Sequence, residues 1–285
     1  MPGSASALRD AFERDGYVFP LAAMSLAQAA HYRQALEQVE ADFSHQPKLL
    51  NSLHGYSNLV LPFVDEIMRL PSIIGPVSEI LGPDLLVWSC NMFVKEARTP
   101  HYVSWHQDLT YWGLDALEEV TAWVALSPAT VESGCMRFVA GSHRSEIVPH
   151  RDTFQDENLL TRGQEMTVTV DESAAVDVVL QPGEVSLHHG RTFHASHGNR
   201  SGDRRIGIAI RYITPAMRQV DGTRTVATLV SGKDRFGHFE LAPPPAGVMM
   251  PDDIARLRHA EDLQNPINYA GAAQEGKRAD MISAD

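Results

Sequence analysis

The period of apolar and polar positions changes once along the chain. Before Gly82 the apolar residues recur three or four apart, as on one face of a helix. "ALRDAFERDG" ends on a glycine stop and "SLAQAAHYRQALEQVEADF" opens on a serine cap, so residues 5–45 read as helical. A second helical block, "PFVDEIMRLPSIIGPVSEIL" over 62–81, is interrupted by Pro71 and Pro76. After Gly82-Pro83, β-rich runs separated by turn residues take over, at 84–95, 102–109, 120–127, 135–140, 166–170, 176–180, 184–189 and 206–213. About eight strands at irregular spacing predict a sandwich or double-sheet jelly roll, mainly β with flanking helices. Residues 141–165 read as a polar loop with room for a short helix, and "PDDIARLRHAEDLQ" as a terminal helix. The last dozen residues, rich in Ala, Gly and charge, read as disordered.

Two strands alternate informatively. In "RIGIAIRYI", Ile206, Ile208, Ile210 and Tyr212 form an apolar face, while Arg205, Gly207, Ala209 and Arg211 form the other. An arginine followed by two small residues leaves room inside a barrel, and a buried guanidinium fork suits a carboxylate. A solvated edge strand fits the same letters. In "WSCNMFVK", Trp88, Cys90, Met92 and Val94 share an apolar face, and Ser89, Asn91, Phe93 and Lys95 a more polar one. If the polar face lines a lumen, Asn91 and Lys95 meet an anionic group there.

Composition narrows the class. The 285 residues are 44% hydrophobic and 21% charged, ample for a core. Lys plus Arg number 24 against 36 Asp plus Glu, a net charge of −12 that disfavours nucleic acid or an anionic membrane as partner. Cys90 and Cys135 are too few for a disulfide framework, so a reduced cytoplasmic setting is expected. No secretory signal opens the chain, and no apolar run reaches spanning length.

The chemistry concentrates in two stretches. "SWHQD" sets His106 and Asp108 two apart, so that on a strand both face one way and Gln107 the other. An imidazole and a carboxylate are two arms of a metal site, and a second imidazole completes the facial set that suits Fe(II). An exposed aspartate beside a hydrogen-bonded histidine fits equally. "PGEVSLHHGRTFHASHGNRSGDRR" offers His188, His189, His194 and His197 as the further ligand. Tyr111 and Trp112, just beyond the first stretch, are candidates for a substrate wall or for packing.

Taken together, "DGYVFPL", "SWHQD", "VTAWVALSP", "SGCMRFVAGSH" and "HASHGN" through Arg205 resemble the phytanoyl-CoA dioxygenase family of Fe(II)- and 2-oxoglutarate-dependent oxygenases over residues 10–215. The resemblance implies a double-stranded β-helix with His106, Asp108 and His194 on the iron. His194 opens the family's H-x-S-x-x-N pattern, with Ser196, Asn199 and an arginine eleven residues on, Arg205. Arg205 and Ser196 match positions that hold the distal carboxylate of 2-oxoglutarate, and Trp123 a tryptophan lining that pocket. Halogenating relatives replace the carboxylate ligand by a small residue; Asp108 stands here, which favours hydroxylation.

One oxygenase domain is expected over 1–285, with a helical buttress (1–82), a jelly-roll core (83–215), and, from a long stretch without a strong period, a candidate lid before the C-terminal helix (216–285). Its cosubstrates would be 2-oxoglutarate and O₂, its products succinate and CO₂. The expected substrate is a small anionic or zwitterionic metabolite, an aminoalkylphosphonate first, with Asn91, Lys95, Tyr111, Trp112 and Arg137 as candidate contacts and Arg211 as a further cation. An acyl-CoA, amino acid derivative or natural-product intermediate is the alternative, as is a non-catalytic cupin-like metal-binding module.

Overall fold

In the computed structural model, which describes residues 7–272, the chain lays down helices and strands in alternation. The helices are α1 (Ala7–Asp15), α2 (Leu26–Asp42), α3 (Pro47–Asn51), α4 (Leu53–Tyr56), α5 (Pro62–Met68), α6 (Pro71–Leu81) and α7 (Pro251–Asn268). The strands are β1 (Tyr17–Ala22), β2 (Leu85–Lys95), β3 (Val103–His106), β4 (Glu119–Ala125), β5 (Met136–Val139), β6 (His150–Arg151), β7 (Glu165–Met166), β8 (Ala175–Val178), β9 (Glu184–His188), β10 (His194–Ser196), β11 (Arg205–Ile213), β12 (Val226–Ser231) and β13 (Glu240–Leu241). A seven-stranded sheet in the order β1-β9-β4-β11-β2-β12-β13 faces a four-stranded sheet in the order β3-β10-β5-β8, and β6 pairs with β7 apart from both. This is the double-stranded β-helix that the resemblance implied, and the jelly roll of the two readings that the strand pattern left open.

The long central strands make the major sheet two-sided. Ile206, Ile208, Ile210 and Tyr212 of β11 join Cys90 and Met92 of β2, Val120, Ala122 and Val124 of β4, and Val185 and Leu187 of β9 in the main core. The helices cover that face. In α2, Ala29, Tyr32, Leu36 and Val39 point into this side at helical spacing, and a capping box between Ser25 and Gln28 starts the helix. The opposite face, toward the minor sheet, carries Arg205, Gly207, Ala209 and Arg211 from β11 and Thr121, Trp123 and Ala125 from β4, because partners in the ladder share a face.

Several elements depart from the sequence expectation. The helical reading of 5–45 contains β1, which starts after Gly16 ends α1 and pairs with β9. Pro71 opens α6 instead of breaking it, since a helix's first turn has no use for that N–H, and Pro76 lies inside the same helix. The expected strand at 166–170 is only the two-residue β7, and the loop at 141–165 holds a short 3₁₀ turn, Ser142–Arg144, together with β6. Residues 216–245, a candidate lid, instead contribute β12, which pairs with β2 in the major sheet and buries Val226, Ala227 and Thr228. The terminal helix is present as α7; the last dozen residues lie outside the described range. Trp88 leaves the face of Cys90 and Met92. A register shift between Arg211 and Tyr212 against β2 turns it toward Trp112 and the cavity side.

The inner face depends on one close approach. A methyl group on Gly207 would overlap the Trp123 indole on the neighbouring strand. Gly207→Ala is expected to cost about 1–3 kcal/mol by overpacking. Adding Trp123→Phe, which thins the obstructing ring, should return part of that loss. Denaturant unfolding of the single and double variants checks this through their non-additivity.

Candidate metal centre

Two ladders and one turn bring the metal-binding side chains together. His194 on β10 lies directly opposite His106 on β3, so their rings sit side by side with centroids 4.0 Å apart. Asp108 is not on a strand as expected. β3 stops at His106, and Asp108–Thr110 wind into a 3₁₀ turn tied by Leu109 N to Gly190 O at 3.2 Å and Thr110 Oγ1 to Gln107 O at 2.8 Å. The turn, not an i, i+2 alternation, aims Asp108 toward the imidazoles. Gln107 points the other way as expected. It is buried, accepts from Val148 N at 2.9 Å and donates to Arg191 O at 3.1 Å, so it locks the loops outside the site.

Donor atoms from His106, Asp108 and His194 all lie within 4.8 Å of one another, and all three side chains are buried. The backbone fixes the tautomers. His106 Nδ1 donates to Ser104 O at 2.9 Å and His194 Nδ1 to Thr192 O at 2.8 Å; carbonyls only accept, so both Nε2 atoms keep free lone pairs. These face Asp108 Oδ1, at 3.4 Å from His106 Nε2 and 3.9 Å from His194 Nε2. Burial alone would raise the Asp108 carboxyl, but the Arg211 guanidinium and the two imidazoles outweigh it and hold it well below the usual range. Burial and the neighbouring His106 keep His194 neutral. Two imidazoles and one carboxylate, with their lone pairs converging, fit a divalent iron.

Two compartments meet at this triad. The inner one runs between the sheets past Trp123, Ser196 and Arg205. Arg205 is buried, with its Nε unpartnered and its guanidinium 5.0 Å from the Trp123 ring centroid; burial pulls it down to about 10. Directly opposite on β2 stands Lys95. Its Nζ donates to Ser196 Oγ at 2.7 Å and to His197 O. Burial and Arg205 depress it to about 6. Neither cation has an ion pair among the described residues. Asn199, the last member of the H-x-S-x-x-N pattern, donates to the carbonyls of Lys95, Glu96 and Asp203 at 2.8–3.2 Å and so ties the turn before Arg205 to the end of β2.

The outer compartment is lined by Asn91, Tyr111, Trp112 and Arg211, and is roofed by the loop through Leu160 and Arg162 and by Glu261, Gln264 and Asn265 of α7. Trp112 packs on Trp88 with centroids 4.8 Å apart, and the Arg211 guanidinium lies 4.8 Å from the Trp112 ring centroid. Arg211 also bonds Asn91 Oδ1 and keeps its Nε unpartnered. Tyr111 is stacked under Arg162, which in turn holds the end of α7 through Asn268 O at 3.0 Å. Arg137 lines neither compartment. The alternation of β5 sends Met136 and Phe138 inward, and Arg137 faces out to pair with Glu172 at 2.6 Å. Of the other histidines, only His188 reaches the inner compartment. His189 packs near His143, and His197 meets Arg137 outside. Cys90 and Cys135 are buried free thiols. Thr121, Glu119 and the α7 roof were not singled out from sequence. The period-2 pattern that places Trp123 inward places Thr121 and Glu119 there too.

Comparison with known proteins agrees with this geometry. The phytanoyl-CoA dioxygenase (PhyH) family profile matches residues 12–207. An L-proline trans-4-hydroxylase of Streptomyces griseoviridis is 26% identical over 196 residues, 63% of this chain and 72% of that protein. A probable alpha-ketoglutarate-dependent hypophosphite dioxygenase of Stutzerimonas stutzeri is 25% identical over 178 residues, 61% of each. The apo structure of the non-heme monooxygenase ThoJ superposes with a TM-score of 0.83 at 34% identity, over 92% of this chain and 97% of that one. The structure of CytC3 with Fe(II) and alpha-ketoglutarate shares the fold, with a TM-score of 0.65 at 23% identity over 86% of this chain and 96% of that one. No helix among the described residues is long and apolar enough to cross a membrane.

The ligand assignment has a direct check. His194→Ala removes one of three donors and should abolish Ni(II) or Fe(II) binding measured by equilibrium titration of the apoprotein. His188→Ala should weaken binding by no more than about a hundredfold, as for a residue beside the ligands. The reverse order would move the second imidazole to His188. With the triad, the fold and the match over most of its length, the chain belongs to the phytanoyl-CoA dioxygenase family and is a 2-oxoglutarate-dependent non-haem iron oxygenase.

Proposed function

We propose that the protein hydroxylates a C–H bond of a small anionic or zwitterionic metabolite, an aminoalkylphosphonate before other classes. His106, Asp108 and His194 would hold the iron. Iron with 2-oxoglutarate and O₂ supplies the oxidising power for C–H cleavage and releases succinate and CO₂. The chain's own residues bind, orient and exclude water. Arg205, Ser196 and Lys95, with Trp123 as a wall, take the distal carboxylate of 2-oxoglutarate, so that its keto acid end lies toward the triad. The observation that carries this reading is the pair of adjacent buried cations without a carboxylate partner. Buried charges are otherwise paired, so a dianionic ligand answers an unmet requirement.

Substrate would occupy the outer compartment against Trp112, with Asn91 and Tyr111 beside it. Arg211 at the triad and Glu261 on the roof set both signs of charge along the lining, in keeping with a small polar substrate. The names of two relatives, a proline hydroxylase and a hypophosphite dioxygenase, point the same way toward small polar substrates, one of them a phosphorus oxyanion. The preference for an aminoalkylphosphonate starts from a resemblance of the stretch 88–143 to bacterial oxygenases that hydroxylate such compounds. The amino acid alternative uses the same two charges; an acyl-CoA needs a long apolar channel, which the polar roof does not favour.

A panel of aminoalkylphosphonates, amino acids, compatible solutes and acyl-CoA thioesters, incubated with Fe(II), ascorbate and 2-oxoglutarate, tests the reading through succinate yield and product mass. Turnover of phosphonates with a gain of one oxygen supports it. Turnover of only uncharged or acyl-CoA substrates overturns it.

The cosubstrate end predicts a pH dependence. Lys95 is lowered to about 6 in the free protein and must be protonated to meet a carboxylate. Binding therefore takes up a proton at neutral pH. Affinity for 2-oxoglutarate should fall about tenfold per pH unit above that value, until the raised value of the complex is reached. Calorimetry in buffers of different ionisation enthalpy reads the proton directly. Lys95→Met should abolish the uptake, and a pH-independent wild-type affinity between 7 and 9 would contradict the assignment.

A further inference from the structure

Asp108 has two oxygens in different surroundings. Oδ1 faces the imidazole Nε2 atoms of His106 and His194. Oδ2 faces the major sheet, where three side chains approach it: Thr121 Oγ1 at 3.4 Å, His188 Nε2 at 3.9 Å and Arg211 Nε at 3.9 Å. These three belong to one row across three neighbouring strands. Arg211 on β11 is the ladder partner of Thr121 on β4, and Thr121 is the partner of His188 on β9. All are buried on the same face, and both ring nitrogens of His188 and the Nε of Arg211 lack any other hydrogen-bond partner. Behind Thr121, two residues along the same strand face, lies buried Glu119, whose Oε1 is 2.6 Å from the Thr121 hydroxyl.

We infer that the row Arg211–Thr121–His188, backed by Glu119, is a positioning device that holds Oδ2 of Asp108 toward the major sheet, so that the carboxylate ligates iron through Oδ1 alone. The inference rests on the metal centre described above and deepens it. A carboxylate free to rotate would offer both oxygens to the metal and occupy a further coordination position, at the expense of the cosubstrate. The row opposes that by giving Oδ2 a hydroxyl donor in Thr121 and a nearby cation in Arg211.

The hydrogen count in this row is restrictive. Thr121 has one hydroxyl hydrogen and two carboxyl groups within reach, and a second hydrogen must come from Glu119 if both contacts are to be made. Burial and the charge of Asp108 raise Glu119 well above the usual carboxylate range. As an acid, Glu119 donates to Thr121 Oγ1, and the Thr121 hydrogen turns to Asp108 Oδ2. Gly190 allows this packing, since a side chain there would collide with Glu119 Oε2. An amide at 119 donates in the same way, whereas an alkyl group at 121 cannot.

Co(II) titration of the apoprotein tests the device without turnover, reading affinity by competition with a chelator and ligation through the visible d–d bands. Thr121→Val should lower affinity by about ten- to a hundredfold, the usual effect of removing a ligand's hydrogen-bond partner, and alter the bands. Thr121→Ser should restore both, and Glu119→Gln should match the wild type. A merely structural role would change unfolding midpoints and leave the bands alone. Wild-type affinity and bands in Thr121→Val overturn the inference. So does a loss of about tenfold or more in Glu119→Gln relative to the wild type, a measurement that stands even if Thr121→Val does not fold. His194→Ala is the control: retained Co(II) binding there would refute the metal centre itself, a failure distinct from that of the positioning row.

Discussion

The inner face of β11 buries two guanidinium groups, Arg205 and Arg211, six residues apart on one strand. Taking an arginine out of water without an anion costs several kcal/mol even after relaxation. Much of the site's architecture answers that cost. Around Arg211 stand Asn91, Ser89, the Trp112 ring and the ionised Asp108. Around Arg205 stand only the Trp123 ring and the equally buried Lys95. One arginine is answered by the protein; the other is left for a ligand. The small residues between them, Gly207 and Ala209, leave room for Trp123 and the cavity, so the alternation of nine residues fixes both ends of the site.

The two sheets divide the work. The minor sheet and its adjoining turn carry the metal-binding side chains, and the major sheet carries the row beside Asp108 Oδ2 and the inner pair Arg205 and Lys95. Each sheet is held by its own ladders, so the distance between triad and cations is set by how the sheets pack. The family match ends at residue 207, whereas Arg211 and the roof on α7 lie beyond it. The triad and the Arg205 end thus lie within the stretch that the family profile matches. Much of the outer compartment comes from chain that need not be shared, which is where differences in substrate are expected to reside.

Much of this was legible in the sequence because strands write their faces with period 2. The alternation of β11 gave its inward arginines directly, and that of β2 gave Asn91 and Lys95. Where the period broke, the reading failed. The bulge beside Arg211 moved Trp88 to the cavity, and the 3₁₀ turn at Asp108 replaced the strand geometry that had justified pairing it with His106. β1 was hidden because a six-residue strand between two helices, with a proline in it, carries little periodic signal. β10 was hidden because three residues show no period at all. By residue type alone His194 was one of four candidate histidines; the family's H-x-S-x-x-N spacing singled it out, and the ladder sets it opposite His106. Arg137 looked like a site residue only while the facing of β5 was unknown.

The cosubstrate end also has a consequence for the free protein. Two like charges in direct opposition, one forced toward neutrality, make the inner compartment electrostatically incomplete. Folding must push the Lys95 proton off at neutral pH, because its folded value of about 6 lies far below that of an unfolded lysine. That cost is greatest at low pH and fades as pH rises toward the unfolded value. A dianion in the compartment reverses the sign. It favours the ammonium form, pairs with Arg205 and removes the cost that folding carried. A dianionic ligand bound there would therefore also stabilise the fold, with the coupling running through a lysine that has no carboxylate of its own among the described residues.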